Sequence, residues 1–377
     1  MNGFIRFRAG AFFPLRSAAS YFFLVYRLRF RAKLSLKKGD LRVKRGKKTA
    51  ALLLMLALLA SVLAGCGDRE SKAKEKPERD ESGAWETEGR PRLPQKLHTN
   101  AEGVPVLRVY QVDEEETRDM DLESYIKGVV AGEMKNDWPM EALKAQAILA
   151  RTFVMKFCSE KESKYQGADI STDIEEAQAY DATGVNERVE QAVDETRGLV
   201  LSYHGELPYA WFHAHSGGVT ERAREGLNWE KEEPGYTKVT QGRDSSQAPK
   251  EVKEWRAEFT AEEFLAAARK AGWQGEGDLR SVETGEKGES GRAVSILVNG
   301  QPVSAPELRL AIGATKMRST LLQELELANN KVMMTGKGYG HGVGMPQWGA
   351  YGMAEEGKSA QEIVRYYFDD VTVEKMW

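Results

Sequence analysis

Apolar and polar positions along this chain change their spacing several times, and each change marks an element. Val106-Leu-Arg-Val-Tyr110 alternates with the two-residue period of a half-buried strand. Leu122, Tyr125, Ile126, Val129 and Val130 then fall at i, i+3, i+4, i+7 and i+8, which predicts an amphipathic helix entered through Thr117 to Met120. Glu133 follows at i+11, about 20° from Leu122 on a 3.6-residue wheel, so its carboxyl continues the buried stripe at the helix end. Asn136-Asp-Trp-Pro139 breaks the pattern, and proline suits the first turn of a second helix. Its packed face is Leu143, Ala147, Ala150 and Val154, while Lys144 and Arg151 share another. Residues 169–180 read as loop and residues 188–196 as a short helix closed by Gly198. Residues 199–203 and 209–212 read as strands around a His204-Gly205 turn.

Residues 222–258 are polar and irregular. Thr260-Ala-Glu-Glu263 has the spacing of a capping box and predicts a helix to about Ala271. Residues 293–298, an Asn299-Gly300 turn and residues 301–303 predict a hairpin. Residues 307–312 read as helix, and 324–327 and 331–334 as extended chain. Ser359-Ala-Gln-Glu362 is a second capping box, opening an apolar-aromatic helix through Phe368. Strands and helices mix without regular alternation or repeat, so the expected class is α+β, with helices and antiparallel hairpins around a central cleft.

Charge divides the 377 residues unevenly. Residues 1–50 hold 14 Lys/Arg against one acid, Asp40, a net of +13. The whole chain is −3 and residues 51–65 are uncharged, so residues 66–377 sum to −16. So acidic a body is a poor partner for nucleic acid, whose binding rests on phosphate neutralisation. Lys44-Arg-Gly-Lys-Lys48, the apolar run from Ala50 to Ala64 and Leu63-Ala-Gly-Cys66 have the order of a secretory signal with small residues at the cut. The run is short for a transmembrane helix. Leu-Ala-Gly-Cys resembles the bacterial lipobox, which implies lipidation at Cys66 and a body on the outer face of the cytoplasmic membrane. Two acyl chains suffice for stable anchoring. The first 42 residues are long for such a signal and predict a translation start near Val43. The expected organisation is therefore an extension and signal at 1–65, a charged tether at 66–100 and one folded domain at 101–377. With Cys66 lipidated, Cys158 is the only other cysteine, so no intrachain disulfide holds the body.

The densest glycine run is Gly336-Lys-Gly-Tyr-Gly-His341-Gly-Val-Gly-Met-Pro-Gln347-Trp348-Gly-Ala-Tyr-Gly352. Glycine costs backbone entropy, so such a run points to sharply bent chain or close approach to a ligand. It lacks the Gly-Lys-Ser/Thr ending of a phosphate loop. Tyr339, Trp348 and Tyr351 offer flat faces for stacking against a ligand, with plain core packing as the other reading. His213 and His215, with Cys158 or His341, are donors that suit zinc. No cysteine pair accompanies them, and no metal or other cofactor is expected.

Three segments together resemble the SpoIID/LytB family. Tyr125-Ile-Lys-Gly-Val-Val-Ala-Gly-Glu133-Met with Glu141-Ala-Leu-Lys144-Ala-Gln146-Ala-Ile-Leu-Ala-Arg151-Thr-Phe is similar to its first signature. Phe212-His213-Ala-His215-Ser216-Gly217-Gly218 is similar to its central segment, and Gly338 to Ala350 to its third. The resemblance spans about residues 104–374. It implies a lytic transglycosylase acting on peptidoglycan glycan strands stripped of stem peptides, linked to sporulation, with Glu133 as the catalytic acid and base. It also implies substrate contacts among Lys144, Gln146, Arg151, His213, Ser216, Tyr339, His341, Gln347 and Trp348. Because the family includes amidase modifiers, the alternative is a wall-binding modulator of a murein amidase. Burial of Glu133 would raise its carboxyl toward neutrality, as protonating a glycosidic oxygen requires.

Overall fold

The structure, a computed structural model, describes residues 89–377. The apolar run, Cys66 and the tether as far as residue 88 lie outside the described residues. His98–Thr99 (β1) pairs with Pro105–Gln111 (β2), which buries Leu107 and Val109 on one face as its alternation predicts. Glu116–Asp121 (β3) is a strand paired with residues 106–111 of β2, where the sequence suggests the approach to a helix. Its first four side chains face solvent and Met120, its one apolar residue, rests against the main core, so pairing rather than hydrophobic period defines it. Asp121 then caps Leu122–Glu133 (α1), its carboxylate accepting the Ser124 N–H at 2.9 Å. All five residues of the predicted stripe are fully buried.

Met140–Glu160 (α2) runs through the main core, packed on α1 and on five later elements. Ile170–Ser171 (β4) joins β2 in parallel, and Asn186 caps Glu187–Glu195 (α3). Leu199–Tyr203 (β5) ends in the expected turn, with His204 and Gly205 at positive φ. Residues 209–211 do not return as its hairpin partner. Behind Pro208 the Trp211 N–H turns back to the Tyr209 carbonyl at 3.0 Å, with the two rings stacked 5.1 Å apart. Only Phe212–His213 (β6) is extended, and β5 pairs instead with the C-terminal strand.

After Ala223–Leu227 (α4) and Lys250–Lys253 (α5) the chain builds a second lobe with its own core. Glu254–Thr260 (β7) buries Trp255, Ala257 and Phe259 on one face, strand structure inside a region that reads as irregular. Thr260 and Glu263 close both halves of the capping box at the start of Ala261–Lys270 (α6). Val282–Thr284 (β8), Ser295–Val298 (β9) and Gln301–Ser304 (β10) form an antiparallel sheet, with Asn299 and Gly300 both at positive φ in the hairpin turn. Ala305–Ile312 (α7) packs on α6, and Leu322–Ala328 (β11) and Lys331–Lys337 (β12) complete a sheet with β7. The chain then re-enters the main lobe through Met345–Pro346 (β13), Gln347–Glu355 (α8), Ala360–Tyr367 (α9) and Val371–Lys375 (β14). Ser359 and Glu362 form the second capping box, at the start of α9. Mixed helices and mostly antiparallel sheets make this an α+β protein. Among the described residues no helix is long and apolar enough to cross a membrane.

Candidate active site

Glu133 sits half-buried in the last turn of α1, where the apolar stripe ends. The loop at 177–181 lies directly on that helix because Gly128 and Gly132, four apart, leave a trough. A Cβ on Gly132 would meet the Ala179 carbonyl carbon at 2.7 Å, and one on Gly128 would meet the Tyr180 ring at 2.3 Å. The close approach lets the Ala179 N–H donate to Glu133 Oε1 at 2.8 Å. From the other side Gln347, first residue of α8, donates Nε2–H to Glu133 Oε2 at 3.2 Å and to the Glu133 carbonyl at 3.1 Å. Burial pushes the Glu133 carboxyl up to about 7, against the pull of both donors, which favour the charged form.

The glycine run is what delivers Gln347. It lies along the central segment, with β13 parallel to β6 so that Met345 faces Phe212 and Pro346 faces His213. His215 and Tyr339 exchange backbone hydrogen bonds at 3.0 and 2.8 Å. Gly338, Gly340, Gly342 and Gly344 are all at positive φ. At Gly340 a Cβ would also lie 2.5 Å from the His213 Cβ, so both conformation and space require glycine.

His213 Nδ1 is 3.1 Å from the Val343 carbonyl, which can only accept, so Nδ1 carries the hydrogen and Nε2 an open lone pair. Among the described residues that buried Nε2 has no hydrogen-bond partner, and burial holds the ring well below the usual imidazole range. His341 is committed differently. Its Nε2–H points to the Phe212 carbonyl at 2.9 Å and its Nδ1 accepts the Val343 N–H at 3.0 Å. Burial lowers it to about 3, so it is a neutral brace between the two segments. Glu133, Phe212, His213, Gly340, His341, Gln347 and Arg309 together line a narrow cleft with room for about 10 Å³, roughly one water. Arg309 comes from α7 of the second lobe and carries no sequence signal beyond its charge.

The remaining candidates stand elsewhere. Arg151 is fully buried and forked onto Glu123, with Nη2 to Oε2 at 2.6 Å, and Glu123 also accepts the Gly198 N–H and the Trp377 indole N–H, both at 3.0 Å. Lys144 pairs with Glu141 at 2.8 Å and Glu195 at 2.5 Å. Gln146 is wholly buried in α2. Ser216 is buried and bonded to Asp244, holding the turn into Gly217-Gly218. Trp348 is buried, its ring 4.4 Å from Trp138 and 5.2 Å from Tyr351, and Tyr339 is buried with Arg318 over its ring. Cys158 lies in the core with its thiol toward the Asp169 carbonyl. Among the described residues no three His, Cys, Asp or Glu side chains converge as a metal site. A second, shallower depression of about 520 Å³ opens over His215, Gly217, Gly218, Arg243 and Lys253.

A family model described as stage II sporulation protein matches residues 110–203. Stage II sporulation protein D of Bacillus amyloliquefaciens is 30% identical over 278 residues, 70% of this chain and 77% of its own. Stage II sporulation protein D of Bacillus subtilis is 27% identical over 338 residues, 86% of this chain and 94% of its own. An amidase enhancer of Bacillus subtilis is 27% identical over 293 residues, 66% of this chain but 40% of its own.

Proposed function

The chain belongs to the stage II sporulation protein D family, and from that premise we propose that it is a peptidoglycan lytic transglycosylase cutting glycan strands stripped of stem peptides. The observation that carries the reading is Glu133, a carboxyl near neutrality at a cleft, held by two fixed donors. Protonated, it gives its hydrogen to the bridging oxygen as the bond from that oxygen to the muramic C1 breaks. The carboxylate left behind then takes the hydrogen of the same ring's 6-hydroxyl as that oxygen bonds to C1. The product is a 1,6-anhydro end, Glu133 is protonated again, and no second carboxylate is needed to activate water. The His213 lone pair offers an acceptor beside the sugar. A strand polymer needs contacts beyond one ring, and residues 212–218 border both the cleft and the shallower depression.

A sporulation setting follows the names of the two relatives, and Cys66 would anchor the body to the outer face of the membrane. The similarity to an amidase enhancer favours one second reading, a wall-binding modulator of a murein amidase without chemistry of its own. The deciding experiment incubates the full-length protein with purified denuded strands in heavy-oxygen water. Anhydro ends free of label are expected. Labelled reducing ends would mean hydrolysis, and intact strands would favour the modulator.

A further inference from the structure

Arg309 is the charged group in the cleft that the chemistry above leaves unused. It is 4% exposed, yet among the described residues its one hydrogen bond is Nε–H to the Arg318 carbonyl at 3.0 Å. Besides burial, the groups acting on its charge are Tyr339 and a second cation, Arg292, with no carboxylate among them. Arg292 shows the contrast: equally buried, it spends its Nη hydrogens on the Ser216 and Val219 carbonyls and has Glu221 and Asp244 nearby to balance it. A buried guanidinium without an anion is costly unless a ligand supplies one. Four of the five N–H donors of Arg309 remain, in a planar fork that fits the two oxygens of a carboxylate.

The glycan has one carboxylate suited to that fork. Each muramic ring bears a lactyl ether on O3, two carbons from the C1 at which Glu133 would act. On a stripped strand this group ends in a free carboxylate. On an intact strand it is an amide joined to the stem peptide, neutral and bulky, and cannot accept the fork. We propose that Arg309 reads the free lactyl carboxylate and so makes peptide removal a condition for productive binding. The inference rests on the glycan-cleaving reading for its ligand, but it is tested by binding alone.

Full-length Glu133→Gln protein, which keeps the cleft but cannot cleave, is titrated with denuded strands and with the same strands capped as lactyl methylamides. Free strands should bind at least about 30-fold more tightly, the scale for losing one partner of a buried charge pair. Adding Arg309→Met should bring the ratio toward one. Should that variant not fold, Arg309→Lys, which keeps a cation but not the fork, should lower the ratio at least about tenfold. Equal binding of free and capped strands, or a ratio unmoved by the substitution, overturns the proposal. A retained ratio without anhydro products in the cleavage assay would sink the transglycosylase and leave carboxylate recognition standing.

Discussion

Replacing Glu133 by glutamine perturbs stability and chemistry by separate routes, and the first can be worked from the structure. Burial raises the carboxyl from 4.5 to about 7. Between those values the folded protein keeps a proton that the unfolded chain has released, so stability falls as pH rises across that window. At about 1.4 kcal/mol per pH unit, the loss comes to about 3 kcal/mol by pH 8. Glu133→Gln removes it. The new amide oxygen can still accept the Ala179 N–H, but its NH₂ meets the Gln347 Nε2 donor unless the Gln347 amide turns over. That mismatch costs about 1 kcal/mol at every pH. Relative to wild type, the variant should therefore gain about 2.5 kcal/mol between pH 5 and pH 8. Urea unfolding followed by tryptophan fluorescence at both pH values measures it. A difference that does not change with pH would mean that Glu133 is ionised in the fold, and the acid role would lose its basis. In the cleavage assay the variant should fall by about 10²–10⁴-fold, and wild-type activity should decline above about pH 7.

Arg151→Met should destabilise the fold by about 3–5 kcal/mol, because it strands the buried Glu123 with two N–H donors and no cation; thermal or urea unfolding reads this, and wild-type stability would refute it. Gly340→Val should remove glycan binding and cleavage, since its backbone is at φ 117° and its Cβ would strike His213; strand binding equal to wild type would mean that the glycine run does not shape the site. Cys66→Ala should release the protein from membranes or leave it as precursor, and co-fractionation with membrane at wild-type mobility would rule out the lipid anchor.

Most of the elements were legible because their signals are local. The α1 stripe, both capping boxes and the Asn299-Gly300 turn each announce themselves within a dozen residues and form as the sequence predicts. Strand β3 was not legible, since an exposed edge needs no hydrophobic period and its definition comes from β2. Nor was the partner of β5, which lies about 170 residues along the chain, while the nearer candidate is spoiled by Pro208. In the site, Glu133 was visible as a carboxyl in line with a buried face. Gln347 was visible only as part of a glycine-rich motif, because parallel pairing with Phe212-His213 is what brings it to the carboxyl. Arg151 and Lys144 illustrate the opposite: helical spacing places them on a shared face but cannot say that Glu123, Glu141 and Glu195 wait there. Arg309 had no local signal, since its burial depends on a lobe assembled from several hairpins.

The second lobe leaves and rejoins the main one at a single rung, where Glu254 at the start of β7 is the register partner of Lys337 at the end of β12. A segment whose two ends are neighbours can be lengthened, shortened or exchanged without re-threading the rest of the chain. The segment matched by the family model, 110–203, contains Glu133 and stops well short of that lobe. If Glu133 breaks the bond and Arg309 chooses the strand, as proposed above, the two tasks reside in stretches of sequence free to drift apart, and the lobe could be recast without touching the acid.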